Sequence, residues 1–282
     1  MDLALIAVPY NQNKYNTGMG AAPDALLASG LLDALFQKGV KVASQERIEL
    51  ELSGDDLLGH FAQINNAVAE AVETAVTAGQ LPVVLGGDCM LSLGINAGLQ
   101  RSIPNKPTGV AWFDAHGDFN TPEISETGFL PGMPLACLTG YGLESLRTDL
   151  PLKPIDENHV IMLGVRDLDP KEKELLNSTP VSYLNPEDVQ NGRTEIVAEY
   201  HFQDVDEVYL HLDVDVLDPS VVPGTDYLTP DGLTLETMIE AIAIVKTEKP
   251  LAAVALTALN PEVEQAQSVA TAIQLLSEAL AD

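Results

Sequence analysis

Basic residues are scarce in this chain. Lys and Arg number 14 against 42 Asp and Glu, a formal net charge of −28 over 282 residues. Such an acidic surface repels phosphate backbones and anionic headgroups, which excludes nucleic acid and anionic membrane as general partners. The carboxylates are spread along the chain and form no acidic tail, as a solvated surface would have them. Cysteine is nearly missing too: Cys89 and Cys137 are too few for a disulfide framework. No apolar run approaches the roughly 18 residues that a membrane span needs. Met1-Asp2-Leu3 lacks the basic start of a secretion signal. These absences predict a soluble, cytoplasmic protein. Internal repeats and low-complexity linkers are also lacking, so residues 1–282 read as a single domain.

What is present is a patterned apolar content of 46%, enough for a sizeable core. Short apolar runs, expected as strands, lie at Leu3–Val8, Leu81–Leu85, Gly109–Phe113, His159–Leu163, Val208–Leu212 and Leu251–Leu256. Between them, helical spacing covers Ala22–Gln37, Asp56–Ala78, Leu235–Lys246 and Val263–Leu280. Strand and helix alternating in this way predict an α/β fold, a mostly parallel central sheet with helices on both faces. Thr121–Pro134 and Pro219–Gly232 read as long ordered loops, a common place for function.

In open α/β sheets ligands bind beyond the carboxyl ends of the strands. Three of the runs lead straight into such chemistry: Gly86-Gly87-Asp88-Cys89, Asp114-Ala115-His116-Gly117-Asp118 and Asp213-Val214-Asp215. Alternate residues of an extended segment share a side, which would let Asp114, His116 and Asp118 face one point, and Asp213 with Asp215 another. Four carboxylates and an imidazole repel without a cation. Hard oxygen donors with one imidazole suit Mn²⁺ or Mg²⁺, less strictly Zn²⁺ or Fe²⁺.

With Trp112-Phe113 before the second motif, Asp218-Pro219 after the third, and Pro223-Gly224-Thr225 and Gly232-Leu233-Thr234 beyond, the sequence resembles the ureohydrolase family of arginases, agmatinases and formiminoglutamases over nearly its whole length. The resemblance implies a three-layer α-β-α, arginase-like fold and two divalent metal ions, Mn²⁺ by family habit. One ion would be held by Cys89, Asp114, Asp118 and Asp213, the other by His116, Asp114, Asp213 and Asp215. A hydroxide bridging them would attack the central carbon of a guanidine or amidine, and Asp118 would pass a proton to the leaving amine. Asn120 and Asp169 would contact the small-molecule substrate, although an Asp before Pro170 also suits a helix entry. The resemblance further implies a homo-oligomer, a trimer or hexamer.

Three positions depart from the family pattern. Cys89 replaces a His; its sulfur favours Zn²⁺ or Fe²⁺ over Mn²⁺, or it is a small buried residue beside a weak site. Pro131 replaces a His that moves protons in relatives. Ala258 replaces a Glu that pairs with the guanidinium, and Glu262 and Glu264 lie just beyond. Three functions stay open: a hydrolase of non-peptide C–N bonds in linear amidines or guanidino compounds, other than an ordinary arginase or agmatinase; a catalytically altered member kept for binding or structure; and a single-metal amide hydrolase. Of the other histidines, His60 reads as a surface residue, and His211 as a core residue or a partner to a metal carboxylate. Cys137 and Trp112 read as core.

Overall fold

The computed structural model describes residues 2–104 and 106–281. Eight strands form one sheet: β1 Asp2–Val8, β2 Lys41–Arg47, β3 Leu81–Gly86, β4 Thr108–Phe113, β5 Val160–Leu163, β6 Ser182–Leu184, β7 Glu207–Asp213 and β8 Leu251–Thr257. Their spatial order is β2-β1-β3-β8-β7-β4-β5-β6, and every neighbouring pair is parallel.

The central strands are mostly apolar and buried almost throughout because helices cover both faces. Successive side chains feed opposite layers. Val83, Leu85, Leu210 and Leu212 join one apolar layer with the helices Leu31–Gln37, Leu235–Glu248 and Ala266–Leu280. Val84, Trp112 and Tyr209 join the other with Leu57–Thr77, Leu91–Ser102 and Pro134–Thr139.

Three expectations change. The helical pattern over 22–37 is two helices, Ala22–Ala28 and Leu31–Gln37, because Gly30 takes φ +95° and turns the chain. β2 reads Lys-Val-Ala-Ser-Gln-Glu-Arg and is mostly exposed at the sheet edge; its polar composition hid it, and its charges protect an unpaired edge. His60 is buried rather than exposed, with Nε2 2.8 Å from the Gly54 carbonyl and Nδ1 3.2 Å from Asn13.

The turn after β3 is shaped by Gly87. A methyl group there would lie 2.1 Å from the Tyr10 carbonyl oxygen. That oxygen is backbone of a small antiparallel ribbon, Tyr10–Asn11 with Lys14–Tyr15. Gly87→Ala is therefore expected to cost about 3 kcal/mol, read as a lowered urea midpoint; a change under about 0.5 kcal/mol would mean that the ribbon yields freely.

Candidate metal centre

Every candidate ligand lies at the carboxyl end of a central strand. Beyond β3, the Asp88 carboxylate accepts the backbone N–H groups of Met90 (3.0 Å) and Gln12 (2.5 Å). Asp88 is thus a turn-builder, and it sets Cys89 over the sheet end. The Cys89 thiol donates to Asp213 Oδ2 at 3.0 Å and lies 3.4 Å from Thr257 Oγ1.

Beyond β4, Asp114 Oδ2 accepts from Trp112 Nε1 at 3.0 Å, and its Oδ1 accepts from the His116 backbone N–H at 2.7 Å. His116 Nδ1 lies 3.2 Å from Asp114 Oδ1 and 3.1 Å from Asp215 Oδ2. Ligand atoms of Cys89, Asp114 and Asp118 lie within 4.8 Å of one another, and so do those of Asp114, His116 and Asp215. Asp114 belongs to both groups, and Asp213 joins the first through Cys89.

The convergence is real, but simple alternation does not produce it. β4 stops at Phe113. Asp118 enters the pocket through a left-handed backbone, φ +47°, a conformation that Asp tolerates better than most residues. Asp215 arrives through a short 3₁₀ turn, Val214–Val216, capped by the Asp213 side chain on the Asp215 N–H. Tight turns rather than extended chain aim both carboxylates.

The electrostatics call for a cation. Burial, followed by neighbouring carboxylates, pushes Asp114, Asp118 and Asp213 above the ordinary carboxylate range. Burial disfavours charge on His116 too, yet hydrogen bonds to Asp114 and Asp215 push it up to about 12. Burial would also raise Asp215, but His116 holds it below its usual value. The carboxylates thus favour positive charge at this point of the pocket. Asp118 Oδ2 is buried without a hydrogen-bond partner, an expensive state for a carboxylate. Burial, then Asp213, Asp118 and Asp114, drive the Cys89 thiol well up, so its thiolate needs a metal. Oxygen donors, an imidazole and a sulfur fit divalent cations.

Around the candidate ligands is a cavity of ≈ 200 Å³. Both loops singled out from the sequence line it, through Ser125, Thr127, Phe129 and Pro131 from one and Tyr227 from the other. The Phe129 and Tyr227 rings are 5.7 Å apart. Asn120 and Asp169 also line it, with Asn120 Nδ2 donating to Asp169 Oδ2 at 3.0 Å. Asp169 is at the same time the N-cap of the helix Pro170–Leu176, so it both lines the cavity and opens a helix. Ala258 sits in the wall at φ +63°. Glu262 is exposed and Glu264 caps Gln267 and Ser268, so neither brings an anion to the place of the family Glu.

Sequence reasoning missed Glu172. Its carboxylate accepts the N–H groups of Phe119 (2.9 Å) and Asp169 (3.1 Å), tying the loop that carries Asp118 to the pocket wall. The Asp-x-x-Glu spacing 169–172 is a capping-box signature that could have revealed it. Burial pushes Glu172 up to about 7. A carboxyl raised on folding adds stability that is complete below its unfolded pKa and lost as pH rises through the folded one. The metal-free protein is expected to lose stability as pH climbs from the ordinary carboxylate range through about 7, and Glu172→Gln to flatten that decline. Melting temperatures across this window check it; an unchanged slope in the variant would assign the decline to other groups.

The sequence profile of the Arginase family matches residues 1–281. The chain belongs to the arginase family. It is 30% identical to the arginase of Bacillus caldovelox over 95% of this chain and 94% of that one. It is also 30% identical to the arginase of Entamoeba histolytica, over 92% and 91%. The solved structure of the Entamoeba histolytica arginase with L-ornithine superposes with a TM-score of 0.88 at 27% identity, covering 100% of this chain and 98% of that one. Formimidoylglutamase of Bacillus subtilis shares the fold, with a TM-score of 0.78 at 19% identity over 99% and 86%. The three-layer α-β-α architecture is thus that of the arginase family, and membership makes the chain a metal-dependent hydrolase of the ureohydrolase type. Among the described residues no single helix is long and apolar enough to cross a membrane.

Proposed function

We propose that this chain hydrolyses a non-peptide C–N bond in a linear amidine or guanidino compound, using two divalent cations held by Cys89, Asp114, His116, Asp118, Asp213 and Asp215. The observation that carries this reading is the pair of ligand groups sharing Asp114. When bound, such cations supply Lewis acidity and a nucleophile from water at neutral pH. The protein's own part is positioning and proton handling. Asp118, buried and with one oxygen unpartnered, takes a proton and delivers it to the departing amine. Asp169 and Asn120 hold a polar or ammonium group of the substrate, while Phe129 and Tyr227 enclose its chain.

Two features argue for a substrate other than that of an ordinary arginase or agmatinase. Ala258 offers no anion for charge-assisted pairing with a guanidinium, and Pro131 cannot carry a proton. The sulfur of Cys89 favours Zn²⁺ or Fe²⁺ at its position, while the oxygen-and-imidazole group suits Mn²⁺. A homo-oligomer, trimer or hexamer, and a cytoplasmic location complete the proposal.

Elemental analysis after exposure to Mn²⁺, Zn²⁺ and Fe²⁺, followed by a guanidine and amidine screen, tests it. About two ions per chain and amine release from one compound class are expected. Urea release from arginine at a rate typical of enzymes would remove the distinction from arginase. The gathering of Cys89, Pro131 and Ala258 in one pocket favours a second reading, a binding or structural protein without turnover. Absence of metal under every loading would make that reading the better one.

A further inference from the structure

Beneath the ligands, two rings of the core lie face to face. Trp112 and His211 are stacked with centroids 3.6 Å apart and planes at 10°, and both are fully buried. Each sends a hydrogen bond upward. Trp112 Nε1 reaches Asp114 Oδ2 at 3.0 Å. His211 Nε2 reaches Thr257 Oγ1 at 3.3 Å, and Thr257 Oγ1 lies 3.4 Å from Cys89 Sγ. Below, the Tyr209 hydroxyl meets His211 Nδ1 at 2.7 Å.

Counting protons gives this line a direction. The single proton of Cys89 goes to Asp213 Oδ2. At the Cys89–Thr257 contact the hydroxyl must therefore donate and the sulfur accept. Thr257 has one proton, so its oxygen accepts from His211 Nε2–H. Nδ1 is then the bare nitrogen and accepts from the Tyr209 hydroxyl. Each link uses one proton, and all run toward the sulfur. A cation placed between Cys89 and Asp213 displaces only the thiol proton; nothing below needs to turn.

We infer that Tyr209, His211 and Thr257 form a one-way hydrogen-bond line that presents Cys89 as a sulfur ligand, making this centre a sulfur-containing one with two unlike metal positions. This rests on the reading of Cys89 as a ligand and deepens it. Thr257 and His211 are positioning residues; neither touches substrate. A donor to the sulfur lowers the energy of its lone pair, stabilises the thiolate that a metal takes up and fixes its orientation. The stacked Trp112 keeps the His211 ring from tilting, so Asp114 and the sulfur are oriented by one rigid plate.

Co²⁺ titration of the metal-free protein tests this by spectrum and affinity, without any substrate. The wild type is expected to show a near-ultraviolet sulfur-to-Co²⁺ charge-transfer band that Cys89→Ala lacks. Thr257→Val should move that band to lower energy and, with the thiolate less stabilised, weaken Co²⁺ binding at that position by about 10-fold or more, as loss of a partner to a ligand does. Thr257→Ser, which keeps the hydroxyl, should restore both. Thr257→Ala replaces the valine variant if circular dichroism shows the latter unfolded. An unshifted band and unchanged affinity in a folded Thr257 variant would overturn the line while leaving Cys89 a ligand. Absence of any such band in the wild type at saturating Co²⁺ would overturn the ligand reading itself.

Discussion

Asp213→Ala is expected to strip the chain of metal and of hydrolytic activity together. Asp213 is the carboxylate that meets Cys89 at 3.0 Å and caps the turn presenting Asp215. Its removal weakens one ligand group directly and loosens the other. Loss of several kcal/mol of Lewis-acid stabilisation corresponds to a fall in activity on the order of 10³-fold. Stability separates this from simple unfolding. Without metal, removing one of several crowded carboxylates relieves repulsion, so the melting temperature should hold or rise. With metal, the wild type gains about 4 kcal/mol at a thousandfold excess over Kd, and the variant should gain far less. Full metal content and activity in the variant would remove Asp213 from the centre.

Asp118→Asn is expected to lower kcat by about 10²–10⁴-fold, the usual contribution of a positioned acid–base group, with a smaller change in KM. The amide keeps the size of the side chain and an oxygen toward the pocket but can neither take nor return a proton. The wild-type pH profile should carry a limb that rises as Asp118 loses its proton, and this limb should be missing from the variant. Burial comes first among the causes that hold this carboxyl above its ordinary range, then Asp114 and Asp213, so the limb moves once cations neutralise those neighbours. Retention of activity within tenfold would show that another group carries the proton.

Much of the candidate site was legible because its candidate ligands follow mostly apolar strands. Val-Ala-Trp-Phe running into Asp114, and Leu-His-Leu running into Asp213, mark the strand ends where a parallel sheet gathers chemistry. The means of aiming was not legible. A left-handed Asp118 and a 3₁₀ turn at Asp215 are backbone choices that the alternation rule does not contain. Polar or short elements were also hidden: β2 carries charges at an edge, and β6 has three residues. The line from Tyr209 to Cys89 joins β7, the end of β8 and the turn after β3. The pairing of β8 with both neighbours, His211 opposite Ala255 and Asp213 opposite Thr257 on one side and β3 on the other, brings them together. Side chains meeting across strands so far apart in sequence leave no local pattern to read.

The position of β8 bears on how the chain assembles. β1, β2 and β3 form one block of the sheet, and β4 to β7 form another; β8, residues 251–257, is hydrogen-bonded to both and lies between them. Until that segment pairs, Cys89 on the first block and Asp213 on the second have no common frame. The centre of the sheet closes last in sequence, over long separations, which favours slow folding. A metal bound through both Cys89 and Asp213 would thus act as a rivet across the seam, holding two half-sheets to the strand that joins them and reporting, by its presence, that the seam has closed.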